Sequence, residues 1–136
     1  MHIRRFTKDF TRRAFMKGLG AIHALSHPIG AFYNSHHGTT NAVVMLPVLR
    51  SNRPAIETRI SAAADYLGID GGFDGFYDFV AALIAQLEIP PNLTALGVTD
   101  PDVDAVVRAA LTDPSAGGNP VEMTYDNTKS LLQSCL

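Results

Sequence analysis

The strongest constraint on this chain's fold is an apolar stripe in its middle. Phe73, Phe76, Tyr77, Val80, Leu83, Ile84 and Leu87 recur at the i, i+3, i+4, i+7 spacing of one helix face, and Pro90-Pro91 ends the run. A sequence with this period does not settle as a strand, and no alternating apolar/polar segment stands out elsewhere. The same period returns in Ile56, Ile60, Ala63, Ala64 and Leu67, closed by the glycine-rich turn Gly68 to Gly72. It returns again in Val103, Val106, Val107, Ala110 and Leu111, after the start signal Thr99-Asp100-Pro101. Thr124 caps a last helix running to about Cys135 with Leu131 and Leu132 inward. The expected fold class is therefore all-α, a helical bundle without internal repeats.

Residues 18–34 read as a further helix. It keeps Gly18, Gly20 and Gly30, each costing roughly 1 kcal/mol against alanine in a helix. Such a helix is packed closely against something or held open for a ligand. Asn34 to Gly38 forms a turn. Thr39 or Thr40 then caps a helix through Leu49, and Ser51-Asn52 separates it from the one carrying Ile56 to Leu67. Residues 1–17 form a basic N-terminal arm with Arg4, Arg5, Lys8, Arg12, Arg13 and Lys17 and no clean periodicity. Thr11-Arg12-Arg13-Ala14-Phe15-Met16-Lys17 resembles a twin-arginine export signal, but the following stretch carries His23, His27 and Pro28, which is poor for an apolar h-region. The arm reading is preferred.

Composition closes off several classes. With 11 Lys+Arg against 13 Asp+Glu, the net charge of −2 leaves no electrostatic footprint for nucleic acid. No apolar run approaches the ~20 residues of a membrane span. The single cysteine, Cys135, builds no disulfide framework and is expected to be inert at a frayed end. A reducing, cytoplasmic setting is the default expectation.

The residues that carry chemistry are histidines. Four of the five lie between His23 and His37: His23, His27, His36 and His37. His23 and His27 are i, i+4 and share a face if helical. A tight loop after them can fold His37 back toward His23. Imidazole suits iron, zinc, copper and nickel, so two or three of these histidines could hold a divalent ion. Separate core and capping roles for each histidine are the alternative.

The surrounding residues carry a resemblance. Gly18-Leu19-Gly20-Ala21-Ile22-His23-Ala24-Leu25-Ser26-His27-Pro28-Ile29-Gly30 is similar to the signature of the iron-containing (group III) alcohol dehydrogenases. The similarity continues through His37-Gly38, Asn41-Ala42 and Pro47, and downstream through Gly68-Ile69-Asp70-Gly71-Gly72-Phe73, Ile89-Pro90-Pro91 and Gly117-Gly118-Asn119-Pro120. It covers residues 18–136, the C-terminal helical metal-binding portion of that family, and leaves 1–17 unmatched.

The resemblance implies that His23 and His37 are metal ligands. It places His27 beside the nicotinamide, as a cofactor-binding and catalytic residue able to relay a proton, and makes His36 a neighbour of the site. The implied cofactors are Fe²⁺ or Zn²⁺, and NAD or NADP. The implied reaction is metal-dependent interconversion of a small alcohol and an aldehyde by hydride transfer. Small residues at Ser115-Ala116 fall where the family approaches its substrate.

The chain departs from the family in lacking a glycine-rich phosphate loop, a βαβ pattern and two upstream ligands, an aspartate and a histidine. The expectation is an oxidoreductase working as a homo-oligomer or with a separate nucleotide-binding half. The alternative is a catalytically inactive helical remnant or self-associating module that binds metal weakly or not at all.

Overall fold

The computed structural model describes residues 20–136. The basic arm, its twin-arginine-like segment and Gly18 lie outside the described residues. Five α-helices follow in order: α1 Ala21–Tyr33, α2 His37–Leu67, α3 Gly72–Gln86, α4 Val103–Thr112 and α5 Tyr125–Gln133, with a 3-10 turn at Ala116–Gly118 before α5. Among the described residues there is no strand, so the all-α class stands.

One core unites four of the helices. Leu25 and Ile29 of α1, Val43, Val44 and Val48 of α2, Val106, Val107 and Ala110 of α4, and Leu131 and Leu132 of α5 are buried together with Leu93 and Val98 from the α3–α4 connection. Each large aliphatic side chain removed from water contributes on the order of 2 kcal/mol. Cys135 belongs to this core. It is not frayed: its Sγ–H donates to the Leu131 carbonyl at 3.3 Å, and burial pushes the thiol up to about 12. The thiol is inert because it stays protonated.

α2 corrects the expected break at Ser51-Asn52. It is one helix of 31 residues containing both Pro47 and Pro54. Each proline removes one ladder bond and crowds the carbonyl four residues back, so tertiary contacts must hold the axis on both sides. Val43, Val44 and Val48 anchor the N-terminal half in the core. Beyond them, Arg53 bridges Asp74 of α3 at 2.7 Å and Glu57 at 2.8 Å, with its guanidinium 4.6 Å from the Phe73 ring centroid. Asn52 is buried because its amide pairs with Asn119. Asn52 Nδ2 donates to Asn119 Oδ1 and Asn119 Nδ2 donates back to Asn52 Oδ1, both at 2.8 Å. Asn119 also receives the Ala21 N–H at 3.1 Å and donates to the Val121 carbonyl at 2.8 Å.

That amide explains Gly20. A Cβ there would lie 2.8 Å from Asn119 Oδ1 and 3.3 Å from Asn119 Cα. Of the two alternatives the sequence left for this glycine, close packing holds.

Other boundaries moved by local capping. The cap of α2 is His36, whose Nδ1 accepts from the Thr39 N–H, and Thr39 and Thr40 lie inside the helix. The cap of α4 is Asp102, whose carboxylate accepts from Ala105 N at 3.0 Å while its own N–H donates to the Tyr33 hydroxyl at 2.8 Å, so the Thr99-Asp100-Pro101 signal falls just short of the helix. Thr124 caps α5 as expected, in a reciprocal box with Asn127. Gly68 ends α2 in the left-handed region that glycine adopts without strain.

α3 also departs from its one-stripe reading. Only Phe73 of that stripe is fully buried; its main partner is α2. Leu83 and Leu87 turn to solvent with Phe79.

Replacing Asn119 by alanine leaves the buried Asn52 amide and the Ala21 N–H without their partner. The expected loss is roughly 2–4 kcal/mol of unfolding free energy in a urea titration. Gly20→Ala should move the same amide and destabilise in the same direction. A double variant no worse than Asn119→Ala alone would confirm that both act on one contact.

Candidate metal centre

The histidines meet where α1 passes the start of α2. His23 and His27 project one turn apart from α1, with ring centroids 5.8 Å apart. The three-residue turn 34–36 reverses the chain, with Asn34 in the left-handed region, a conformation asparagine tolerates. His37, the first residue of α2, is thereby placed 5.4 Å from His23 and 5.2 Å from His27, nearly parallel to the latter ring. The tight-loop expectation is met. His36 stays apart as the α2 cap.

The hydrogen bonds fix how His37 is presented. The buried Ser26 hydroxyl donates to the His23 carbonyl at 3.3 Å and lies 3.3 Å from His37 Nδ1. With its only hydrogen so committed, Ser26 Oγ accepts from Nδ1–H. His37 Nε2 is then the basic nitrogen, and the Asn41 amide donates to it at 3.1 Å. The other end of that amide, Asn41 Oδ1, is buried and finds no hydrogen-bond partner among the described residues.

Burial, reinforced by the positive forms of His37 and His27, pushes His23 below the ordinary imidazole range, while Asp113 pulls weakly the other way. A neutral His23 keeps its lone pair.

His27 has a partner that the sequence did not point out. Its Nδ1 is 2.8 Å from Asp113 Oδ2, across 86 positions of chain. Asp113 caps the C-terminus of α4, and its side chain is only 12% exposed. Burial alone would raise this carboxyl. The Ser115 N–H, donating to Oδ1 at 2.7 Å, and His27 outweigh that and hold it below the usual carboxylate range. Ser115, placed by resemblance near the substrate, is itself buried and shapes Asp113 through its backbone.

The donor set fits a divalent ion in part. His23 and His37 supply two imidazoles, while His27 is tied to Asp113. Among the described residues, no group of three or more His, Cys, Asp or Glu side chains is arranged to hold a metal. Two imidazoles are fewer than the three or four protein ligands that a zinc site takes.

Comparison with known proteins gives this arrangement its context. The model of the Fe-containing alcohol dehydrogenase family, C-terminal, matches residues 14–136, and the chain belongs to that family. It is 35% identical over 124 residues to lactaldehyde reductase of Escherichia coli (strain K12), covering 86% of this chain and 32% of that protein. It is 32% identical over 121 residues to alcohol dehydrogenase 4 of Schizosaccharomyces pombe (strain 972 / ATCC 24843), covering 87% and 29%. The crystal structure of a 1,3-propanediol oxidoreductase superposes with a TM-score of 0.79 at 27% identity, covering 86% of this chain and 32% of that one. The chain therefore spans about a third of the length of these relatives. Among the described residues, no helix is long and apolar enough to cross a membrane.

The lowered affinities of His23 and Asp113 for protons set the pH response of the metal-free chain. The unfolded chain takes a proton on His23 first, so stability is complete above about pH 6.5 and declines as pH falls below that value. Asp113 adds a second decline at lower pH, below the ordinary carboxylate range. Urea unfolding in chelator between pH 7.5 and 5 should show the first decline, and His23→Gln should flatten it. An unchanged slope in that variant would remove His23 as its source.

Proposed function

We propose that this chain supplies the metal-binding helical part of an NAD(P)-linked alcohol/aldehyde oxidoreductase, working with a nucleotide-binding half that lies outside these 136 residues. The observation that carries the reading is the convergence of His23, His27 and His37 within 6 Å of one another, ring centre to ring centre, in a member of the Fe-containing alcohol dehydrogenase family. In this reading His23 and His37 Nε2 are two ligands of Fe²⁺ or Zn²⁺. The ion would supply Lewis-acid polarisation of the alcohol oxygen, and a nicotinamide the two-electron acceptor.

The remaining work belongs to the chain's own residues. Asp113 accepts from His27 Nδ1–H and so leaves His27 Nε2 as the proton acceptor beside the site. Ser26 holds His37 in the tautomer whose Nε2 carries the lone pair. Ser115 and Ala116, two and three positions after Asp113, fall where the family resemblance places the approach to the substrate. The chain's relatives lactaldehyde reductase and 1,3-propanediol dehydrogenase, by their names, point to small, short-chain substrates.

A second reading, a self-associating helical module without turnover, is favoured by the exposed apolar side chains Phe79, Leu83 and Leu87. The two readings separate cleanly. Zn²⁺ titrated into the chelated chain should bind measurably, and His23→Ala or His37→Ala should each weaken it about 10-fold or more. Equal affinity in the double alanine variant would end the ligand assignment. NAD(P)H formation from 1,2-propanediol should appear only when a nucleotide-binding half is added, and should vanish again in His23→Ala. No turnover with that half present would favour the non-enzymatic module.

A further inference from the structure

α2, α3 and α5 enclose a groove of about 500 Å³ that shares no residue with the histidine cluster. That volume lies within the roughly 300–1,000 Å³ typical of small-molecule sites. Pro47 and the buried Leu131 give the groove an apolar floor. Its polar groups divide into those the fold already uses and those left over. Asn127 is spent on the α5 cap: its Oδ1 accepts from the Thr124 N–H at 2.9 Å, and its Nδ2 donates to the Glu122 carbonyl at 2.9 Å. The Ser134 hydroxyl is spent on the Leu131 carbonyl, to which it donates at 2.6 Å.

The groups left over are led by Arg50. Its Nη2 donates to the Tyr77 hydroxyl at 2.9 Å, and its guanidinium carbon lies 5.1 Å from the centroid of the Tyr77 ring. Tyr77 is in turn stacked on the buried Phe73, with ring centroids 6.4 Å apart. The guanidinium is thus held in place while most of its N–H donors stay open. Because Tyr77 accepts from Arg50, its own O–H is left to donate. Ser51 and Ser130 line the same groove, and their hydroxyls make no hydrogen bond among the described residues. Asp126 adds a carboxylate from the first turn of α5. Among the described residues no ion pair involves Arg50 or Asp126. One cation and one anion therefore line a single groove without neutralising each other.

We propose that this groove binds a small zwitterion of the amino-acid class, one with a short apolar side chain. The carboxylate of such a molecule accepts from Arg50 and from the Tyr77 O–H, a charge-assisted pairing. Its ammonium donates to Asp126, and its side chain lies on Pro47 and Leu131. A plain anion would leave Asp126 as a like charge against it, and a plain cation would meet Arg50. Only a molecule carrying both signs answers both walls.

The test titrates L-valine into the full 136-residue chain and follows the backbone amides by NMR. Binding should be roughly millimolar, as suits so small a ligand, and should move the amides of Ser51 and Ser130. Isovalerate, which lacks the ammonium, and L-valinamide, which lacks the carboxylate, should each bind at least about fivefold more weakly. Arg50→Gln and Asp126→Asn should each weaken L-valine by a similar factor. Both side chains are exposed, so an unchanged circular dichroism spectrum is expected in each variant. No movement of those amides with L-valine, isovalerate binding as tightly as L-valine, or an unchanged affinity in either variant would overturn the proposal.

Discussion

The reciprocal amide pair between Asn52 and Asn119 ties three separate parts of the chain to one point. Four hydrogen bonds converge on Asn119: it accepts from the Asn52 amide and the Ala21 N–H, and donates to Asn52 Oδ1 and to the Val121 carbonyl. They pin the first turn of α1, the middle of α2 and the loop before α5 to one point. A buried amide left unpaired is expensive, so this arrangement is satisfied as a whole or not at all. It also sits just past Pro47 and before Pro54, where α2 has lost ladder bonds. The long helix stays continuous because tertiary contacts replace what the backbone gives up there.

The candidate site inherits its geometry from that point. His23 lies two residues beyond Ala21, so fixing the start of α1 sets the depth at which His23 is buried. The turn at Asn34 then determines how His37 returns. The two rings are set by different causes: desolvation lowers the proton affinity of His23, and the Ser26 hydroxyl orients His37. His27 is orientated from a separate direction, by a carboxylate at the end of α4. The proposed function accordingly divides the three rings into a pair, His23 and His37, that would hold a metal and a third, His27, that would handle a proton.

α3 obeys a different balance. Its apolar period is the clearest in the chain, yet much of that surface faces solvent. Periodicity reports that a helix forms and has apolar faces; it does not report how many partners are present to cover them. The core is completed by α1, α2, α4 and α5 with the Leu93–Val98 segment, so α3 is needed there only on one side.

The sequence by itself determined the helical class, the α5 cap at Thr124, the glycine closure at Gly68 and the histidine candidates. Each is a local pattern, set by spacing within a turn or two. It misplaced the caps at Thr39 or Thr40 and at Asp100, and it broke α2 at Ser51-Asn52, because propensity treats proline and asparagine as punctuation wherever they stand. The tertiary structure decided what those residues do. Asn52 became a buried tether only because Asn119 lies opposite it, and Asp113 became the partner of His27 only because α4 packs beside α1. Contacts spanning 67 and 86 positions leave no local signature. They exist only once helix packing has brought the two ends together, and so the histidines were legible as candidates while their chemistry was not.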